Sequence, residues 1–392
     1  MNILIIGAGI VGLSIAKALL DHGHKVSVIE KETKVGVHAS GRNSGVLHSG
    51  IYYPKDTLKA KFCQTGRPLF QEYCKKKKIQ IDNCGKVLVT KNEKEIDSLN
   101  LLYERGVENN LLINKLTVTE LGRISPLAKT IDSALWVPET SVFNPTQLLQ
   151  SLTDEIESHD FGSLFFQEAF VEVVSETKIK TTTMELNYDV LINCAGGYAD
   201  KIAHKFNLAK ELVLIPFKGI YKKLNPGLAN QIHHHIYPVP DLENPFLGVH
   251  FTKSMNKDVY VGPTAIPAFG PENYGLFENI GWEGANILAK DAILFLLNKK
   301  FRRVALSEPK RYVPQFFYNE AKKLLKGLTA SDLYPSQKIG IRPQLVNWKT
   351  KELEMDFKII KHGNQIHILN AISPAFTCCF AFSKYIISEY LN

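Results

Sequence analysis

Apolar residues Ile3-Leu4-Ile5-Ile6 give way to Gly7-Ala8-Gly9-Ile10-Val11-Gly12, and apolar positions then recur at helical spacing through Leu13, Ile15, Ala16, Leu19 and Leu20. The pattern predicts a buried strand, a glycine turn and a helix. Val26-Ser27-Val28-Ile29-Glu30 adds a second strand that ends in an acid. This order fits a dinucleotide fold: Gly7 permits the tight turn, Gly9 lets backbone approach a pyrophosphate, and Gly12 lets the helix pack on the strand. Glu30 is placed to hold ribose hydroxyls. The motif alone does not separate FAD from NAD.

Further along, Phe165 to Val174 reads as paired strand material, and Val190-Leu191-Ile192-Asn193 as a buried strand running into Cys194-Ala195-Gly196-Gly197. Such small residues bring backbone against a cofactor. Between Lys75 and Val142 charged helices such as 93–108 surround the strand Gly85-Lys86-Val87-Leu88-Val89. Several short strands are expected from Leu212 to Pro271, then helices at 284–300 and 318–328. Gly340-Ile341-Arg342-Pro343-Gln344, 365–372 and a C-terminal helix should return the chain to the nucleotide unit. The reading is an α/β protein with an α+β cap, a Rossmann-like domain (1–75, 143–211, 335–392) interwoven with a mixed-sheet capping domain (76–142, 212–334).

At 392 residues, 45% of them hydrophobic, the chain has material for two cores. No apolar run reaches the ~18 to 20 residues of a membrane span, and glycines interrupt the apolar N-terminus without a basic leader. A globular, cytoplasmic protein is expected. The six cysteines lack metal spacing and read as reduced packing residues. His233-His234-His235 alternates faces along a strand, so no metal site is expected there. The formal charge of +8 is densest at Lys75-Lys76-Lys77-Lys78 and Lys299-Lys300-Phe301-Arg302-Arg303. These runs read as solvated helix ends, with peripheral contact to the inner face of an anionic membrane as the alternative, and no nucleic acid is expected.

The Gly/Ser/Asn-rich stretch Ala39-Ser40-Gly41-Arg42-Asn43-Ser44-Gly45-Val46-Leu47-His48-Ser49-Gly50-Ile51-Tyr52-Tyr53-Pro54 resembles the flavin-contacting loop of the D-amino-acid-oxidase-like FAD enzymes. Together with Leu58 to Cys63, Ile236-Tyr237-Pro238-Val239-Pro240, Leu247 to Thr252, the Gly-Ile-Arg-Pro-Gln segment and Leu369 to Ala375, it is similar to the L-2-hydroxyglutarate oxidase or dehydrogenase group. Gly196-Gly197-Tyr198 and Phe376-Thr377-Cys378-Cys379 depart from the group's usual pattern.

The resemblance implies FAD as cofactor. Gly7, Gly9, Gly12, Ala195 and Gly196 would lie at the pyrophosphate, Glu30 at the ribose, and Val171 at adenine. Ser40, Asn43, Ser44 and Gly45 would run along the flavin, with Ser373, Pro374 and Ala375 at its pyrimidine edge. It also implies oxidation of L-2-hydroxyglutarate, a small dicarboxylate, to 2-oxoglutarate, with quinone or oxygen taking the electrons. Arg342 is the expected carboxylate clamp. His48 or His250 is the expected base, Tyr52, Tyr53 and Tyr237 are substrate contacts or packing, and Lys218 is a second cation for the distal carboxylate. An amine oxidase of the glycine or sarcosine type and a non-catalytic flavin-binding redox module are the competing functions. Cys378 and Cys379 read as buried thiols, the alternative being covalent flavin attachment.

Overall fold

The structure, a computed structural model, describes residues 1–242, 247–275 and 282–391. A six-stranded sheet runs in the order Ile359–His362, Gln365–Ile368, Val190–Asn193, Asn2–Ile6, Lys25–Glu30, Gly162–Phe166. All neighbours are parallel except the first pair. The helix Ile10–Asp21 makes the crossover between its first two strands in sequence. Parallel strands buried on both faces need continuous apolar runs, which is why Ile3, Leu4, Ile5, Val26 and Val28 have essentially no exposure.

Helices Ile10–Asp21, Ala375–Tyr390 and Leu58–Lys76 pack in succession on one face of this sheet. Phe62, Phe357, Phe382 and Tyr385 interlock between them with ring centroids 5.0 to 5.8 Å apart. Truncating one such buried ring costs about 3 to 5 kcal/mol.

The second large sheet is mixed and ten-stranded, and its two longest strands, Leu212–Leu224 and Leu333–Asn347, pair antiparallel along their length. Beyond Leu212–Leu224 come Val259–Gly262, His250–Lys253, His235–Pro238 and Lys86–Val89. This register brings Lys86, Tyr237 and His250 onto neighbouring strands although more than 160 positions of sequence separate the first from the last. Among the described residues no helix is long and apolar enough to cross a membrane.

Several local expectations change. The segment from Leu212 begins with a 13-residue strand, not a short one. Pro216 stands directly opposite Pro343, so two missing N–H donors fall at one rung of the ladder and the strand continues. Gly340 to Gln344 lies inside Leu333–Asn347 in the ten-stranded sheet, and the chain rejoins the parallel sheet only at Ile359–His362. Phe165 to Val174 splits between two sheets at Gln167, whose φ is +60°. The helix expected at 318–328 is Pro314–Lys322, started by proline in its first turn. Leu324, Leu325 and Leu328 keep its apolar spacing because they enter the core beyond the helix end, Leu325 through a bridge to Ala128. The helix expected at 284–300 ends at Leu297, so Lys299 opens a new helix, Lys299–Ser307, and the second basic run sits at a helix start.

Candidate active site

The carboxyl ends of Asn2–Ile6 and Val190–Asn193 are neighbours, so the turns that leave them meet at the mouth of the parallel sheet. Gly7 has φ +101°, and a Cβ there would stand 2.7 Å from the Cys194 carbonyl oxygen. At Gly12 a Cβ would fall 2.0 Å from the Gly7 oxygen. Only glycine closes both contacts. A cavity of about 540 Å³ opens here, lined by Gly7, Gly9, Glu30, Ser40, Asn43, Ser44, Val171, Ala195, Gly196, Ser373, Pro374 and Ala375, with His48 also on its wall. Gly12 and Gly45 are not on that wall. Gly12 holds helix to strand, and Gly45 (φ +68°) packs where a Cβ would be 2.5 Å from the Phe143 oxygen.

The first turn of the helix Ile10–Asp21 has no side-chain cap of its own, and Ser40 supplies one from another loop by accepting from the Ile10 N–H at 3.0 Å. Glu30 accepts from the backbone N–H of Ala8 at 2.9 Å and of Glu32 at 3.1 Å. Asn43 braces its own loop, accepting from the Gly45 N–H and donating to the carbonyls of Ala39 and Ser40. The helix Ala375–Tyr390 begins on the cavity wall, and Thr377 accepts from the His48 N–H at 3.0 Å. Two helix N-termini and a glycine cradle thus face one space, a donor arrangement that suits an anionic dinucleotide. Cys378 and Cys379 are buried within the terminal helix, where burial pushes their thiols up.

At the rim, Glu32, His38 and Glu272 bring ligand atoms together. Lys31 pairs with both carboxylates, His38 hydrogen-bonds Tyr274, and Tyr198 donates to Glu272. One ammonium is shared between the two acids, and these bonds tie residues 272–274 to the loop that follows Glu30.

Beyond the cavity wall the chemistry changes from backbone to side chains. Lys86 is fully buried, 3.3 Å from the Tyr52 hydroxyl and over the rings of Tyr52 and Tyr237. It has no carboxylate partner among the described residues, and burial pushes its ammonium down to about 7. Tyr237 stacks on His250 with centroids 3.9 Å apart. His250 Nδ1 lies 2.8 Å from the Gly248 carbonyl, which only accepts, so that nitrogen carries the proton and Nε2 keeps its lone pair. Burial, partly offset by that carbonyl, holds His250 down to about 4. His48 keeps a partly exposed edge on the cavity, and burial with the charges of Lys86 and His250 holds it down to about 3. Both imidazoles are neutral at ordinary pH.

Arg342 sits between the cavity residues Ile341 and Pro343 on a strand whose side chains alternate. Burial lowers its pKa and Tyr53 partly restores it. Lys59, also buried, donates to the Met355 carbonyl at 2.5 Å and is pushed down to about 8 by burial and the nearby Arg342 charge. Lys218, expected near substrate, is buried and donates to the Gly275 carbonyl at 2.5 Å. His234 binds the Cys84 carbonyl, while His235 meets the Cys84 thiol at 3.2 Å and accepts from the Lys253 N–H. Sequence reasoning missed Lys86 and Lys59. Lys86 left one signal, a lysine heading the buried apolar strand that continues as Val87-Leu88-Val89.

A family model described as FAD dependent oxidoreductase matches residues 2–387. The mitochondrial L-2-hydroxyglutarate dehydrogenase of Homo sapiens is 32% identical over 99% of this chain and 88% of its own length. The L-2-hydroxyglutarate dehydrogenase of Indibacter alkaliphilus is 33% identical over 96% and 95%. Among solved structures, L-alpha-glycerophosphate oxidase from Mycoplasma pneumoniae, with FAD bound, superposes with a TM-score of 0.77 at 20% identity, covering 98% of this chain and 93% of that one. Glycine oxidase from Geobacillus kaustophilus gives 0.71 at 15% identity, covering 99% and 93%. With the glycine cradle, the two helix N-termini and the cavity already in place, these matches establish that the chain belongs to the FAD-dependent oxidoreductase family and is an enzyme that uses FAD.

Proposed function

We propose that the enzyme oxidises L-2-hydroxyglutarate, or a close L-2-hydroxy acid, to the 2-oxo acid. The observation that carries this reading is the pairing of a carboxylate-free buried lysine, Lys86, with a tautomer-fixed neutral imidazole, His250, beside the cavity residue His48. FAD, when bound, supplies the acceptor for the hydride from the substrate carbon. The protein's part is to orient the acid and remove the hydroxyl proton. Arg342 binds the carboxylate next to the reacting carbon, where a guanidinium offers two parallel donors. Lys86 takes the distal carboxylate, a role that Lys218 leaves vacant by its bond to Gly275. His250 Nε2 or the His48 ring accepts the hydroxyl proton, and neutrality at working pH keeps both able to do so. The names of the relatives support the substrate. Electrons leave to a quinone or to oxygen.

The test is anaerobic mixing of the purified flavoprotein with L-2-hydroxyglutarate. Bleaching of the flavin band is expected, with 2-oxoglutarate formed in equal amount. Bleaching by glycine or sarcosine in its place moves the enzyme to the amine oxidases, and a flavin that stays oxidised with every small acid makes it a binding module.

A further inference from the structure

The helix Trp282–Leu297 turns Ile287, Asp291 and Leu294 inward, where Leu294 packs with Val213, Ile215, Phe217 and Val346 of the two long strands. Its outer face is apolar as well. Leu288, Ile293, Leu296 (69% exposed) and Leu297 (64%) project there, with Ala285, Ala289 and Ala292 exposed among them. A helix on the surface of a globular protein normally presents polar residues outward. The next helix, Lys299–Ser307, exposes Lys299 and Arg303, with Arg302 half-exposed between them and Leu306 one turn on. Arg303 pairs with Asp241 at 3.5 Å and stays largely open to solvent. From residue 288 to 306 the chain carries five basic residues (Lys290, Lys299, Lys300, Arg302, Arg303) and one acid, Asp291, which is buried. The last four of these basic residues occupy the first turns of the helix Lys299–Ser307, where the dipole opposes positive charge, so helix stability does not account for them.

We propose that this face docks on an anionic phospholipid bilayer, with the outer side of Trp282–Leu297 at the acyl boundary and Lys299, Arg302 and Arg303 at the headgroups. An apolar stripe flanked by a basic one is the composition of an interfacial helix. Sixteen residues rise only about 24 Å, so the helix lies on the bilayer and does not span it. The positive rim selects an anionic partner of low polarity beneath its headgroups, and a lipid surface supplies both. This docking goes beyond the substrate reading and stands without it.

Full-length holoenzyme is sedimented with phosphatidylglycerol/phosphatidylcholine vesicles and with phosphatidylcholine alone, at low and high salt. Binding to the anionic vesicles only, weakened by salt, is expected. Leu296→Glu with Leu297→Glu lowers the bound fraction roughly tenfold or more. Arg302→Gln and Arg303→Gln each lower it about fivefold. Flavin content and turnover with a water-soluble dye stay at the parent level in every variant, which shows that folding and the substrate site are intact. Failure of L-2-hydroxyglutarate to reduce the flavin leaves the vesicle result untouched. Equal sedimentation with both vesicles, no sedimentation, or anionic binding that survives the double leucine variant overturns the proposal. A lipid-free doubling of mass that the same variant abolishes assigns the face to a second copy of the chain.

Discussion

The cavity and the side-chain cluster beyond its wall, the two ends of the proposed site, are built from different materials. At the dinucleotide end, glycines, backbone N–H groups and the Glu30 carboxylate shape the wall, and Gly7, Gly9, Glu30, Ser40, Asn43 and Ser44 all lie within 45 residues of the N-terminus. Beyond the wall at His48, the proposed substrate site draws on charged and aromatic side chains from residues 52, 86, 237, 250 and 342. The first kind of site tolerates almost no added volume. The second depends on charge in a dry surrounding, where an ammonium such as Lys86 sits near 7.

Substitutions at the two ends should therefore fail in different ways. The largest effect is expected for Gly12→Val, whose Cβ would overlap the Gly7 oxygen, 2.0 Å away. The helix would have to leave the strand, and the purified protein should carry no flavin by absorbance. Retained flavin would show that the cradle is looser than these contacts. Arg342→Ala should do the opposite, keeping full flavin while kcat/KM for the hydroxy acid falls by about 2 to 5 kcal/mol, tens to thousands-fold. Normal turnover in that variant would make Arg342 structural and direct attention to the adjacent Lys59.

This contrast also explains what could be read from the amino-acid order. Gly7, Gly12 and Glu30 were legible because strand, turn and helix rules act over a few residues. The resemblance indicates the loop from Ser40 to Gly45, of which Ser40, Asn43 and Ser44 line the cavity, and the arginine at 342, which is not on that wall. Lys86 was not legible as a site residue, because its surroundings are set by the pairing of His235–Pro238 with Lys86–Val89, and nothing local encodes that register. The surroundings of Lys218 are set at long range in the same way: its carbonyl partner at Gly275 lies 57 residues away. The helix Pro314–Lys322 was misplaced because Leu324, Leu325 and Leu328 are core residues at helical spacing without being helical.

Lys86→Met tests the charge-dependent end more finely, since methionine keeps most of the volume. KM for the dicarboxylate should rise about ten- to a hundredfold, with little change for a 2-hydroxy monocarboxylate of similar length. The pH dependence follows from the sign of the shift. A lysine depressed to about 7 is charged below that pH and neutral above it, so kcat/KM for the dicarboxylate should decline as pH rises through about 7. The monocarboxylate profile should stay flat across that window. His48 and His250, held to about 3 and 4, are already neutral there and add no second limb above pH 5. Parallel profiles for both substrates would remove Lys86 from the distal carboxylate.

The smallest effect is expected back at the dinucleotide end, at Glu30. Its carboxylate accepts from the N–H groups of Ala8 and Glu32, so it shapes the turn as well as facing the cavity. Glu30→Ala should weaken FAD affinity by about 1 to 2 kcal/mol, roughly five- to thirtyfold, because two backbone donors lose a charged acceptor. Turnover per bound flavin should not change, since Glu30 lies apart from His48, Lys86 and His250. Glu30→Gln separates the two contributions: its one amide oxygen can satisfy only one of the two donors, and it carries no charge. If glutamine restores most of the affinity lost in alanine, the turn is what the acid holds. If glutamine is as weak as alanine, the charge or the second acceptor is required. A fall in turnover per flavin in either variant would break the separation between the two ends of the proposed site.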